Sequence, residues 1–397
     1  MLDIPPELLL IISTYMDHHD LKAFALTSKL LCRLLLPKYL RGRGLTLEDT
    51  STGGKYIELC SLSGCASLGL WSVLPTFRPP EGMFFAVPYV AEEARSSIGF
   101  VTRFLLNPSN TSHLRKFHYF LGPEPLPIMP ELVKFHESFC ALPLTRLHIS
   151  GFGMASHLSP SLPPRRGITC TSRTLESLAI SSGHAFSPYL MRTTLGILNQ
   201  SPIKTLTISM VSLKLSQWST LFGQLNMPLL ENIEVEGDIP WPALFCFLTK
   251  HSSLKVVHIT GVASSSHTQT SWSQQPFLPN LHSLHAPLAI CRDIIGRASD
   301  PSKLHDMHVE LTRLHPRDPS FRDLLEGLLH FPQLDYFVLE LMPSSQSAAA
   351  SPGHWVGHPA TKLKQVRTLT FLSQGLLSSG DIVCTHLLSI VFLTYIT

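Results

Sequence analysis

Histidine takes the same place in a recurring apolar pattern five times in this chain, at His118, His148, His258, His285 and His308. Imidazole changes charge near neutral pH, and its ring nitrogens ligate metal ions. A row of such rings, one per strand, would sense pH or bind an acidic ligand. The plainer reading is a half-polar residue tolerated on a strand face. Twenty histidines in 397 residues make some recurrence expected by chance. A metal site would need converging geometry and carboxylate support. His285 and His308 with Asp306 form the only local cluster worth testing for it, and no metal and no cofactor are expected.

Other catalytic chemistry is hard to assemble. The phosphate-binding loop, the dinucleotide fingerprint, the nucleophile elbow and the two-histidine zinc helix all lack a match. Ser61-Leu62-Ser63-Gly64-Cys65 has no base assigned to it. Cys60 and Cys65 are the closest pair among eight scattered cysteines, without the second pair or nearby histidine that zinc requires. They read as ordinary buried thiols. No catalytic residue is expected, and the chain reads as a binding protein and not as an enzyme.

The elements that would position those histidines come from a repeat. Apolar residues fall in the order L-x-x-L-x-L, opening at Leu114, Leu144, Leu175, Ile203, Leu230, Leu254, Leu281, Leu304, Leu334 and Val366. The last spacing is the strand period, so its two apolar side chains share one face. One such strand cannot bury that face alone, whereas stacked neighbours can. The intervening positions then point the other way. They include Lys116, His118, Arg146, His148, Glu234, His258, His285, His308 and Tyr336, which are expected to line a concave face that meets a target. Between the strands, helices are predicted over 130–141, 188–200, 216–227, 240–251, 287–298 and 319–331, most opening on Pro or a small polar residue. Each unit is thus a strand, a turn and a helix. Three inserts, over 151–173, 263–279 and 343–361, have the composition of loops. Residues 44–110 show no clean unit and read as a linker or irregular first repeats, with one helix over 92–106.

Residues 1–43 do not share the repeat. Pro5 and Pro6 suit a first helical turn, and Glu7 suits its positive end. Asp20 is a candidate cap for a second helix and Thr27 or Ser28 for a third, which Pro37 should end near Leu36. So many apolar residues in about forty exceed what so small a domain can bury, which implies a docking surface. Ile4-Pro5-Pro6-Glu7-Leu8, Ile12, Tyr15-Met16-Asp17, Asp20-Leu21 and Ala25-Leu26-Thr27-Ser28-Lys29 together resemble the F-box family. The resemblance covers residues 2–40. It implies docking to a Skp-type adaptor and, through it, to a cullin-RING ubiquitin ligase, with Ile4, Pro5, Leu8, Ile12 and Leu21 at or beside the contact. The alternative is a plain helical cap over the end of the repeat array.

The array from 111 to 397 looks like the leucine-rich-repeat family. The expected fold is therefore α/β: a three-helix F-box over 1–43, then a solenoid with parallel strands on its concave side and helices on its convex side. The expected function is the substrate-recognition subunit of an SCF-type ubiquitin ligase, holding a protein target of unknown identity. A leucine-rich-repeat scaffold unconnected to ubiquitin is the competing reading. Charged residues are only 15%, mean hydropathy is +0.17 and net charge is +3, against roughly 25% charged in an average domain. The charge-poor surface suits a covering partner, and so small a net charge argues against nucleic acid. The start lacks the basic region of a signal peptide, so a cytoplasmic or nuclear setting is expected. The apolar run 382–396 falls short of the roughly 20 residues a membrane span needs and reads as a last repeat.

Overall fold

The computed structural model describes residues 4–43, 45–49, 55–72, 79–122, 130–151, 172–187, 190–209, 211, 213–261, 277–298, 303–311, 319–341 and 366–373. The bulk of all three inserts, and the whole apolar run 382–396, lie outside the described residues. The chain forms two compact units, Met1–Ile203 and Lys204–Thr397. This division falls inside the repeat pattern, whereas the sequence division at 43 and 110 follows changes in element type. Both units are mixed α/β with parallel strand pairing.

The first unit opens with three helices, α1 (Pro6–Ile12), α2 (His18–Ala25) and α3 (Lys29–Gly42). Pro5 is the N-cap of α1, with Pro6 in its first turn. Two sequence expectations are corrected here. The cap of α2 is Asp17, whose carboxylate accepts from the Asp20 amide at 2.7 Å, and Asp20 lies inside the helix. Pro37 does not end α3, because Tyr39 and Leu40 beyond it are buried along with Leu35 and Leu36. Their burial outweighs the lost backbone donor. Ser28 does cap α3, its hydroxyl accepting from the Leu31 amide at 3.2 Å.

There follow β1 (Leu45–Asp49), β2 (Lys55–Leu59), α4 (Leu62–Ser72), β3 (Gly82–Ala86), α5 (Ala91–Leu105), α6 (Pro108–Thr111) and β4 (Lys116–Leu121). The unit closes with α7 (Pro130–Ser138), β5 (Arg146–Gly151), β6 (Ser177–Ser181) and α8 (Met191–Gln200). β1 pairs antiparallel with β2, and β2 to β6 pair in parallel in chain order. Residues 44–110 are thus more than a linker, since β2 and β3 belong to the same parallel ladder as the repeats. Ile57 and Leu59, and Met83 and Phe85, alternate inward as the repeat requires. The position three residues earlier holds Gly54 or Pro80 in place of leucine, which hid the frame.

The second unit runs β7 (Thr205–Ile208), α9 (Leu215–Gln224), β8 (Asn232–Glu236), α10 (Trp241–Lys250), β9 (Val256–Thr260) and β10 (Ser283–Pro287). It continues with α11 (Leu288–Ile295), β11 (Asp306–Leu311), α12 (Pro319–Leu328), β12 (Tyr336–Leu341) and β13 (Thr368–Ser373). These strands also pair in parallel, neighbour to neighbour. Parallel pairing demands a crossover, and in most units the helix supplies it. The L-x-x-L-x-L side chains are buried, as at Leu254, Val257 and Ile259, or Leu304, Met307 and Val309. Helices stack beside one another, α9 on α10 and α11 on α12. Their buried faces carry Trp218, Phe222 and Phe247.

Candidate functional site

Among the described residues, each unit carries a surface that its own packing does not explain. In the first unit it is the outside of the helical head. Leu9 packs inward, whereas Leu8 is 49%, Ile12 44% and Tyr15 86% exposed, with Leu10 and Ile11 also exposed. Leu26 and Leu30, around the junction of α2 and α3, are exposed as well. Lys38 donates to the Ser13 hydroxyl at 2.8 Å, and Ser13 donates to the Leu10 carbonyl at 2.6 Å. These bonds fix the end of α1 against α3 and hold its apolar side outward. Of the expected contact residues, Pro5, Leu8 and Ile12 are exposed and Ile4 is half-buried. Leu21 is only 4% exposed and is a correction: it is a core residue, packed where α2 meets α3. The sequence reading missed Leu10, Ile11, Tyr15, Leu26 and Leu30. Helical phase could have found them, because they lie off the stripe through Leu9, Leu21 and Ala25.

In the second unit the surface is a row on the strand face opposite the leucines. Register aligns Glu234, His258, His285, His308 and Val338 on β8 to β12. Two residues further along, Glu310 and Glu340 are aligned on β11 and β12. The rings of His258 and His285 stack at 4.0 Å, and those of His285 and His308 at 3.7 Å and 6°. Glu310 and Glu340 are 7% and 6% exposed. Glu310 Oε1 is 3.1 Å from His285 Nε2, and Glu340 Oε2 is 2.7 Å from His308 Nε2 and 4.0 Å from His285 Nε2. The buried Nε2 atoms of His258 and His285 have no hydrogen-bond partner among the described residues, and that of His308 has only the Glu340 carboxylate within reach. His258 Nδ1 faces Glu234 at 3.6 Å. Burial and then the neighbouring His285 lower the pKa of His258 and of His308, against an opposing pull from the carboxylates.

The first unit has the same row with different partners. His118 stacks on His148 at 4.1 Å. Ser150 donates to the Tyr119 carbonyl at 3.3 Å, so its hydroxyl accepts from His118 Nε2 at 2.6 Å. His148 Nε2 lies 3.2 Å from the Ser181 hydroxyl. Burial, then His148, pushes the His118 pKa down to about 4. A common rule emerges: the histidine of one strand reaches the residue two places further along the next strand. That residue is Ser150 or Ser181 in the first unit and Glu310 or Glu340 in the second. For His258 it is Pro287, which offers no side-chain polar atom.

The other expected target residues are scattered along these faces. Lys116 and Arg146 are exposed neighbours in register on β4 and β5, and Tyr336 is exposed on β12. Asp306, singled out beside the histidines in the sequence, is exposed, and the carboxylates that meet the rings are Glu310 and Glu340.

The serine and cysteine candidates resolve into structure. Ser61 caps α4, accepting from the Gly64 amide at 3.1 Å. Cys65 is buried, which pushes its thiol up to about 12, while Cys60 is exposed and not buried as expected. Cys140 is disulfide-bonded and so departs from the free-thiol reading. A shallow crevice beside β5 and α8, with no room for a water molecule, is lined mainly by Phe139, Leu144, Leu147, Leu175 and Ile197. Such a lining suits packing and not chemistry. No helix among the described residues is long and apolar enough to cross a membrane.

Comparison with known families matches residues 1–40 to the F-box domain. The match covers the three helices up to Leu40 and supports an F-box protein. Among curated proteins, none matches the chain.

Proposed function

We propose that this chain is the substrate-recognition subunit of an SCF-type ubiquitin ligase. The helical head docks to a Skp-type adaptor, and through it to a cullin-RING ligase. The strand faces, built as an irregular leucine-rich-repeat array, hold the target protein. The observation that carries this reading is the exposed apolar side of α1, on the segment that matches the F-box. Burying one Leu or Ile completely is worth roughly 1.5–3 kcal/mol, so about half that remains available at each of Leu8 and Ile12. Several such side chains on one short helix form an exposed apolar patch of the kind that marks an interaction site.

In this reading the chain has no catalytic residue of its own, and it works in the cytoplasm or nucleus beside the ligase. One observation favours a second reading. α3 packs against β1 and α4, so the head also covers the first strand of its sheet, as a cap would. Capping uses α3 and leaves the outer side of α1 unexplained, so docking remains the better account. The test is co-purification with a Skp-type adaptor. Ile4→Asp with Leu8→Asp should abolish the complex while circular dichroism stays native. A complex that survives both changes would remove the proposed docking surface.

A further inference from the structure

We infer that the face of β10, β11 and β12 is a binding site for one divalent transition-metal ion, with His285, His308 and Glu340 as ligands and Glu310 as the adjacent fourth group. Three observations carry this. First, the donor atoms converge: one atom from each of His285, His308 and Glu340 lies within 4.8 Å of the others, and the same holds for His258, His285 and Glu310. Ligands about 2.1 Å from a tetrahedral ion are about 3.4 Å apart, so the donor atoms already lie near the spacing such an ion needs, before the rings reorient. Second, the Nε2 atoms of His258 and His285 are buried without a hydrogen-bond partner among the described residues, a state that ordinarily costs free energy and calls for a partner, and that of His308 meets only Glu340, its proposed co-ligand. In the first unit the same positions are satisfied by serine hydroxyls, so the defect is confined to the row that carries glutamate. Third, Glu310 and Glu340 are buried beside these rings. A buried carboxylate needs positive charge close by. Protonating both stacked rings would set like charges side by side, whereas a divalent ion beside them adds positive charge without that repulsion.

His285 belongs to both possible triads. A neutral imidazole offers one free ring nitrogen, so the two triads hold one ion between them and not two. The triad with Glu340 has the shorter approach, 2.7 Å against 3.1 Å, and is the one assigned. An ion lies in the plane of each imidazole that binds it, so loading must splay the stacked rings of His285 and His308. Two nitrogens and a carboxylate suit zinc, cobalt, nickel or iron(II) better than calcium or magnesium. Three ligands from the chain leave one position of a tetrahedral ion open.

The test uses the full chain, treated with chelator and desalted. Titration with Zn2+ by calorimetry should give one ion per chain. Co2+ should give the visible absorption bands of a low-symmetry site. His285→Ala and Glu340→Gln should each weaken Zn2+ by about ten-fold or more. His118→Ala, in the serine-paired row, should leave the affinity unchanged. Glu340→Gln is close to isosteric, and protection of β10 to β12 amides from hydrogen exchange would verify that it folds. Zn2+ binding that His285→Ala and Glu340→Gln leave unchanged would mean an adventitious histidine elsewhere and would overturn the site, as would no binding at all. A loss on His258→Ala, His285→Ala and Glu310→Gln with none on Glu340→Gln would overturn the assignment of Glu340.

Discussion

His136 gives the sharpest test of how the first unit is held together. It sits on α7, fully buried, with Nε2 hydrogen-bonded to the Tyr119 hydroxyl and the rings of Phe135 and Phe139 around it. Burial pushes its pKa down to about 3, from an ordinary value near 6.5. The unfolded chain therefore takes up a proton that the folded chain refuses. The stability that neutral His136 contributes is complete above about pH 6.5 and drains away as pH falls towards about 3. Each pH unit well inside that window removes about 1.4 kcal/mol, and acidifying from about pH 6.5, where the unfolded ring is half-protonated, to about pH 5 removes about 1.7 kcal/mol. The perturbation is His136→Gln, which keeps a hydrogen-bonding group for Tyr119 and does not titrate. Hydrogen exchange of the β4 amides, corrected for the intrinsic rate at each pH, reads the opening of this unit. The wild type should lose about 16-fold more protection than the variant over that interval, whatever the substitution costs at neutral pH. Other titrating groups act equally on both proteins and cancel. Equal pH slopes would refute the reasoning, because His136 would then ionise alike in both states.

Two further outcomes are expected. His251 joins the end of α10 to the turn before β8, its Nδ1 donating to the Phe247 carbonyl at 2.7 Å and its Nε2 accepting from the Met227 amide at 3.0 Å. His251→Ala should cost about 2–4 kcal/mol by leaving the Met227 amide buried and unpaired and a space behind it; denaturant unfolding with a cost under half that would contradict the double bond. Gly151 pairs with Leu121, and a Cβ there would run into the Leu121 backbone carbonyl. Gly151→Ala should therefore lower stability by about 1–3 kcal/mol through overpacking between β4 and β5, and an unchanged thermal midpoint would show that the strands are not so close.

Much of the frame was legible because it rests on short-range periodicity. The strand positions from Leu114 onward and the helices between them follow from which neighbours along the chain are apolar. Pro319 opens α12, and Phe321, Leu324, Leu325 and Leu328 fall on its buried face. The first strands were not legible, since β2 and β3 lack the leading leucine and keep only the two-residue alternation. Local preference also misled at Pro37 and Asp20. In both places burial of residues further along the helix, or a capping side chain one turn earlier, outweighed the stronger-looking signal.

The sequence by itself determined that strands alternate with helices, that leucines point one way and histidines the other, and that the first forty residues stand apart as an F-box. These follow from periods of 2 and 3.6 residues, which any local window contains. Only the tertiary structure decided that His285 meets Glu310 and that His308 meets Glu340. The two carboxylates lie 25 and 32 residues beyond their partners, and units of unequal length separate them. Strand register follows the apolar pattern of each unit, but only the packed strands bring side chains from neighbouring units within reach of one another. The same holds for the head, where the packing of α2 on α3 hides Leu21 and turns Leu8 and Ile12 to the outside.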